Sequence, residues 1–182
     1  MLLDAGGDGS SDSGPEPQAF VYATLAPTNG GSCAGIASLT SFLTIGTGAG
    51  GDVPTRVPNG GTTQVACSVT STGSTYQVSL SATSDSTTTG GSLTISGTDI
   101  SGTTGATDLI GVFDGVNTEG QYSANDCALA YATSEGLGGI APGRIWGHLE
   151  CDGATNGSVT VSGGLPSTCD VTVDFIFENC GQ

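Results

Sequence analysis

The chain contains no lysine, and its only cations are Arg56 and Arg144. Against them stand 17 acids, for a formal net charge of −15. A phosphate-binding surface draws its affinity from clustered Lys and Arg that displace counterions. Two isolated arginines cannot supply that, so nucleic acid is excluded as a partner. Attachment to anionic lipid headgroups fails for the same reason. Histidine is nearly absent too: His148 stands alone, which argues against a catalytic zinc and leaves a Ser–His–Asp triad one candidate base. No apolar run approaches the ~20 residues that span a bilayer as a helix. Aromatic residues make up only 5% of the chain, so a core must be built mostly from Val, Ile, Leu and Ala.

What the sequence does have is glycine, 32 in 182 residues, together with abundant Ser and Thr. Such chains make many short strands and turns. The length suits one domain with a tail. Six cysteines stand at 33, 67, 127, 151, 169 and 180, an even number with no CxxC pair. That pattern reads as three disulfides in an oxidising compartment.

The period-two signal is clearest near the C-terminus. Val171, Val173, Phe175 and Phe177 fall on one face, and Asp170, Thr172, Asp174 and Glu178 on the other. Ile176 is the exception. This is a strand with one buried and one wet face. Arg144 to Cys151 reads as another, with Ile145, Leu149 and Cys151 apolar. Residues 62–84 form the best hairpin: Val65, Cys67 and Val69, a turn at Ser71 to Ser74, then Tyr76, Val78, Leu80 and Ala82. Further strands are expected at 18–26, at Leu93–Ile95 and at 109–113. Residues 33–45 lean towards strand. Cys127 to Tyr131 stays open between helix and strand. The 8–12-residue spacing of turns predicts an all-β, disulfide-stabilised antiparallel β-sandwich, immunoglobulin-like or jelly-roll-like.

Residues 4–17 are rich in Gly, Ser, Asp and Pro, and read as a flexible acidic tether before a single domain at 18–182. Small residues followed by such a tether resemble the start of bacterial surface lipoproteins, just after their lipid-attachment site. The lipidated cysteine itself is absent: Leu2 to Gly6 stands in its place, and the first cysteine is Cys33. The resemblance implies a surface-anchored protein, which, if exported, stands here as a mature or truncated chain. Asp4, Asp8 and Asp12 space oxygens as calcium loops do, without matching the EF-hand pattern. No cofactor is therefore expected, calcium being the one ion left open.

Extended geometry places Cys169 and Cys180 roughly 36 Å apart at ~3.3 Å per residue, too far to pair. The expected connectivity is Cys33–Cys67, Cys151–Cys169 and Cys127–Cys180. His148 is expected at the surface beside Trp146 and Arg144. These three are the candidate binding residues, with Trp146 either a platform for a sugar or protein or covered by a loop at 153–157. No catalytic residue is singled out. The acids Glu150, Asp152, Asp170, Asp174 and Glu178 are expected on a solvated sheet face. Asn156-Gly-Ser158 matches a glycosylation sequon. The sequence thus predicts a non-catalytic secreted or cell-surface structural or binding module. Its partners would be a protein, cell-surface carbohydrate, or further copies joined by strand addition of residues 18–26. In that last, filament-forming alternative, deleting residues 1–26 should leave a folded monomer.

Overall fold

The computed structural model describes residues 14–28, 33–34, 36, 38–48, 54–103, 106–131, 139–160 and 166–181, and the account below concerns these. The lipoprotein-like start and the Asp4, Asp8 and Asp12 spacing lie outside them.

Every element is a strand. In chain order they are β1 (Gln18–Pro27), β2 (Thr40–Ile45), β3 (Val57–Pro58), β4 (Thr63–Thr72), β5 (Thr75–Ser84) and β6 (Gly91–Ser101). Then come β7 (Ala106–Gly115), β8 (Tyr122–Tyr131), β9 (Gly139–Ala141), β10 (Arg144–Thr160) and β11 (Pro166–Glu178). Alternation decides the ambiguous 127–131 stretch: Cys127 and Leu129 point into the core while Ala128 and Ala130 face water.

All eleven strands belong to one antiparallel sheet, ordered β2-β1-β11-β10-β8-β7-β6-β5-β4, with β3 beside β1 and β9 beside β10. The sequence expectation of two packed sheets gives way to a continuous, barrel-like one. Turn spacing reports how often the chain reverses. It does not report whether hydrogen bonding is interrupted between two layers, so it could not separate these forms. The sheet curls until its ends nearly meet. On one side Phe42 of β2 packs edge-on against Phe113 of β7, with ring centroids 6.2 Å apart. There the Thr44 amide donates to the Thr89 carbonyl. On the other side the Val69 amide of β4 donates to the Gly181 carbonyl, just beyond β11.

The core fills the concave side. Phe175 and Phe177 of β11 meet Val21 and Ala19 of β1 across the register Val21↔Phe175 and Ala19↔Phe177. Gly147 explains itself here: a Cβ on it would stand 2.6 Å from Leu129 and 3.2 Å from Phe175. At the β4–β5 turn the register Thr72↔Thr75 leaves Gly73 and Ser74 as the two loop residues. Gly73 adopts φ +67°, the left-handed region that hairpin turns of this length require.

β10 runs beyond Cys151 to Thr160. A bulge makes this work: Cys151 opposes Val171 and Ala154 opposes Cys169, so two residues on β10 face one on β11. Inward parity changes there from odd (Ile145, Leu149, Cys151) to even (Ala154, Asn156).

The disulfides are Cys33–Cys169, Cys67–Cys180 and Cys127–Cys151. Cys169 and Cys180 each bond elsewhere, as extended geometry required, but the expected pairs 33–67, 151–169 and 127–180 are replaced. The reason is strand order. Cys127 and Cys151 are direct register partners of β8 and β10. Pro27 pairs with Cys169, so the chain leaving β1 carries Cys33 to the start of β11. Cys67 lies on the far end strand β4 and meets the chain leaving β11. Nearness in sequence suggested Cys33–Cys67; the sheet places β1 and β4 apart.

Candidate binding surface

The convex face of β1, β11 and β10 carries the sequence-predicted binding residues. Hydrogen-bond register builds it row by row. Phe20, Ile176 and Trp146 form one row, and Tyr22, Asp174 and His148 the next. Thr24, Thr172 and Glu150 form the third.

The first row is a second, smaller apolar layer outside the barrel, with Tyr22 packed against it. It accounts for Ile176, the residue that broke the alternation of β11. Trp146 is 9% exposed and is not a platform. The expected cover at 153–157 is not what buries it, because those residues belong to β10 itself. Trp146 is buried by its own layer, and the segment around Thr55 borders that layer at β1: β3 pairs with Gln18 and Ala19, and a Cβ on Gly46 would stand 2.1 Å from the Thr55 carbonyl oxygen and 3.3 Å from Phe20.

Arg56 anchors that segment. Its Nη2 donates to Glu178 Oε1 at 3.2 Å. Its Nε stands 3.1 Å from Oε2 but off-line for a hydrogen bond. Gln18 Nε2 donates to the same Oε2 at 2.8 Å. The pair is largely shielded from water, at 21% and 24% side-chain exposure, so truncating one partner would strand the other's charge. One of the two cations is thus structural.

His148 lies in the second row. Its Nδ1 is 2.7 Å from Asp174 Oδ1 across the strand pair, and its Nε2 is 3.3 Å from Glu150 Oε1 on its own strand. Partial burial pulls its pKa down, but the hydrogen bonds and charges of Asp174 and Glu150 outweigh it, and the net direction is up. The protonated ring donates to both carboxylates and holds together two acids that would otherwise repel. A triad needs the second nitrogen aimed at a hydroxyl nucleophile; here it faces a carboxylate. A glycosidase needs its two carboxyl groups flanking an open space. Here Glu150 and Asp174 converge on one imidazole.

Arg144 is exposed, and its side chain makes no ion pair or hydrogen bond among the described residues. It lines an open groove of about 650 Å³ at one end of the barrel, with Pro15, Pro142, Glu178 and Asn179. Of the three candidates, Arg144 and His148 therefore reach solvent, and Trp146 is buried in the layer with Phe20 and Ile176. The remaining acids do not gather: no cluster of three or more His, Cys, Asp or Glu fit to hold a metal occurs among the described residues. Asp170 is occupied locally, accepting from the Gly153 amide at 3.0 Å within the bulge.

Asn156 is buried, and its sequon is out of reach in the folded chain. Its Nδ2 donates to the Glu119 carbonyl at 2.7 Å, and its Oδ1 accepts from the amides of Ser158 and Val159. The bulge at 152–153 turned it inward, and nothing in the local sequence announced that change of parity.

One surface escaped sequence reading. The convex side of β4, β5 and β6 is lined by small hydroxyls: Ser68, Ser79 and Ser96 form one row, and Ser81 and Thr94 pair in the next. A shallow hollow of about 390 Å³ lies there among Ser68, Thr70, Gln77, Ser79 and Thr98. Its signal was the alternation itself, whose polar half is almost wholly Ser, Thr and Gln. No protein-family model matches this chain, and no curated protein or solved structure matches it significantly.

Proposed function

We propose that this protein is an extracellular or cell-surface structural and binding module without catalytic activity. The tether at 1–17 spaces the sheet from its attachment. The module displays the acidic His148–Asp174–Glu150 row and the Arg144 groove to a protein or a cell-surface carbohydrate.

The observation that carries this reading is the disulfide set. Two of the three bridges join residues 136 and 113 positions apart, and all six cysteines are paired. Bridges persist in oxidising surroundings, and long loops are where they constrain the unfolded chain most. The Arg56–Glu178 pair and the His148 clamp add to a surface built to hold its shape. The filament alternative requires β1 to leave both β11 and β2. Cys33–Cys169 fastens the end of β1 beside the strand it already pairs with, which favours the module reading.

The test is made on cells that produce the chain naturally. Antibody should label it on intact cells or find it in the medium, with no cysteine open to alkylation before reduction. A cytosolic protein with six alkylatable thiols would overturn the proposal.

A further inference from the structure

β4 is one of the two end strands of the sheet, and its own residues carry none of the charges, prolines or bulges that blunt an open edge. Thr63–Thr72 has no charge and no proline, and its register against β5 is unbroken. What stands against its outer edge is backbone from elsewhere. Gly60 exchanges two hydrogen bonds with Thr63, and Asn59 Oδ1 accepts from the Val65 amide. Farther along, the Gly181 amide donates to the Cys67 carbonyl and the Gly143 amide to the Val69 carbonyl. The Val69 amide donates back to Gly181, so the chain beyond β11 lies along β4 as a one-residue parallel bridge. Cys67–Cys180 fastens this clasp covalently.

The clasp is the accessible part of the disulfide framework. Cys67 is partly exposed, whereas the other five cysteines are buried. The Arg144 groove opens beside it, lined also by Gly143, Cys180 and Gly181, so the backbone there has room to move. Charge selects the partner. In a chain of net charge −15, Asp99 is the single charged residue in β4, β5 and β6. A second copy meets the least like-charge repulsion along this edge.

We propose that the edge of β4 is a self-association surface masked by the clasp, and that its occupant is β4 of a second copy. Antiparallel pairing about a two-fold axis is self-complementary. The donors and acceptors that now face Gly181 and Gly143 would face their own counterparts, and two sheets would become one. The clasp opens by thiol–disulfide exchange. A small thiolate attacks the Cys67 sulfur, forms a mixed disulfide there and releases Cys180, which takes up a proton. A second thiol displaces the Cys67 sulfur, leaving two cysteine thiols and the reagent's own disulfide. This surface is independent of whatever the convex face of β1, β10 and β11 binds.

The experiment titrates the full chain with glutathione, alkylates the freed thiols, maps them by mass spectrometry and measures size by light scattering. Cys67 and Cys180 should be labelled first, and the mass should double where they are. Cys67→Ser with Cys180→Ser should dimerise without thiol. Because that variant can lose its fold, Gly181→Pro in the disulfide-intact chain is the second arm. It removes the amide that donates to Cys67 and leaves every bridge in place, and it should give a concentration-dependent dimer. Adding Ala66→Asp and Ser68→Asp on the same strand should return either variant to a monomer. A folded monomer in both arms overturns the proposal, and so does labelling that begins at another bridge. If the cysteine variant unfolds, the glutathione titration of the wild type decides: a doubled mass where Cys67 and Cys180 are freed sustains the proposal, and a folded monomer there overturns it.

Discussion

Two walls of the same barrel are built on opposite plans. The wall of β1, β11 and β10 is packed on both sides. Phe175 and Phe177 fill the interior, while Phe20, Ile176 and Trp146 make an outer layer pinned by Arg56 and Glu178. The wall of β4, β5 and β6 is packed on one side only, and its exposed surface is mostly Ser, Thr and Gln, with Asp99 its single charge. The first wall holds position through redundancy: several kinds of contact would have to fail together. The second depends on its inner face and on what is fastened along its edge. Charge follows the same division: Glu150, Asp152, Asp170, Asp174 and Glu178 lie on the first wall, and Asp99 is the one charged residue of the second.

That contrast can be broken by substitution. Phe175→Ala, inside the doubly packed wall, should cost about 3–5 kcal/mol in a urea melt. A loss under about 1 kcal/mol would show that the outer layer carries the wall without its core. Trp146→Ala should cost roughly 2–3 kcal/mol, less than a core aromatic because it packs in a small outer layer and not in the main core. A change within about ±0.5 kcal/mol would instead make Trp146 an ordinary surface residue. Asn156→Ala leaves the Glu119 carbonyl and two amides without their partner and should cost about 1–2 kcal/mol. In a glycosylating host, mass spectrometry of the folded wild type should find Asn156 unmodified. Ser79→Ala, on the hydroxyl wall, should change the unfolding free energy by no more than about 0.5 kcal/mol. The smallest effect is the pH dependence of His148. Its folded pKa lies above the ordinary value, so its contribution is complete below about 6.5 and fades as pH rises through the folded pKa. Wild type and His148→Gln should therefore differ more at pH 5 than at pH 9. A gap that widens with pH would mean the imidazole is held neutral.

The same division separates what the sequence disclosed from what it concealed. On the singly packed wall, alternation is an undiluted signal, and the 62–84 hairpin could be placed with its turn. On the doubly packed wall, Ile176 broke the pattern of β11, and Trp146 sat at the wrong parity for the core. Both departures mark the outer layer, but period two has no term for a second apolar face. Residues 18–26 looked detachable because a first strand after a tether often is. They lie between β11 and β2 with Ala19, Val21, Ala23 and Leu25 wholly buried, so deleting residues 1–26 would open the core. A cut that removes only residues 1–13 spares every described strand. Among the site residues, His148 and Arg144 were legible as surface groups. The clamp on His148 was not, because it needs the β10–β11 register. The disulfide pairing was hidden for the same reason: sheet order is a property of the whole chain.

β11 follows every strand it joins, yet it sits between β1 and β10 and receives the bridge from Cys33. While the ribosome is still adding residues before 166, β1 has no central partner, β10 has one open side and two of the three cystines cannot form. The barrel is therefore closed by its last strand, through contacts that span most of the chain, and such topologies fold slowly. A polypeptide that stays incomplete for so long remains thin and pliable during synthesis. On the extracellular reading proposed above, that is the state in which the chain would be exported, to fold and oxidise only on the far side.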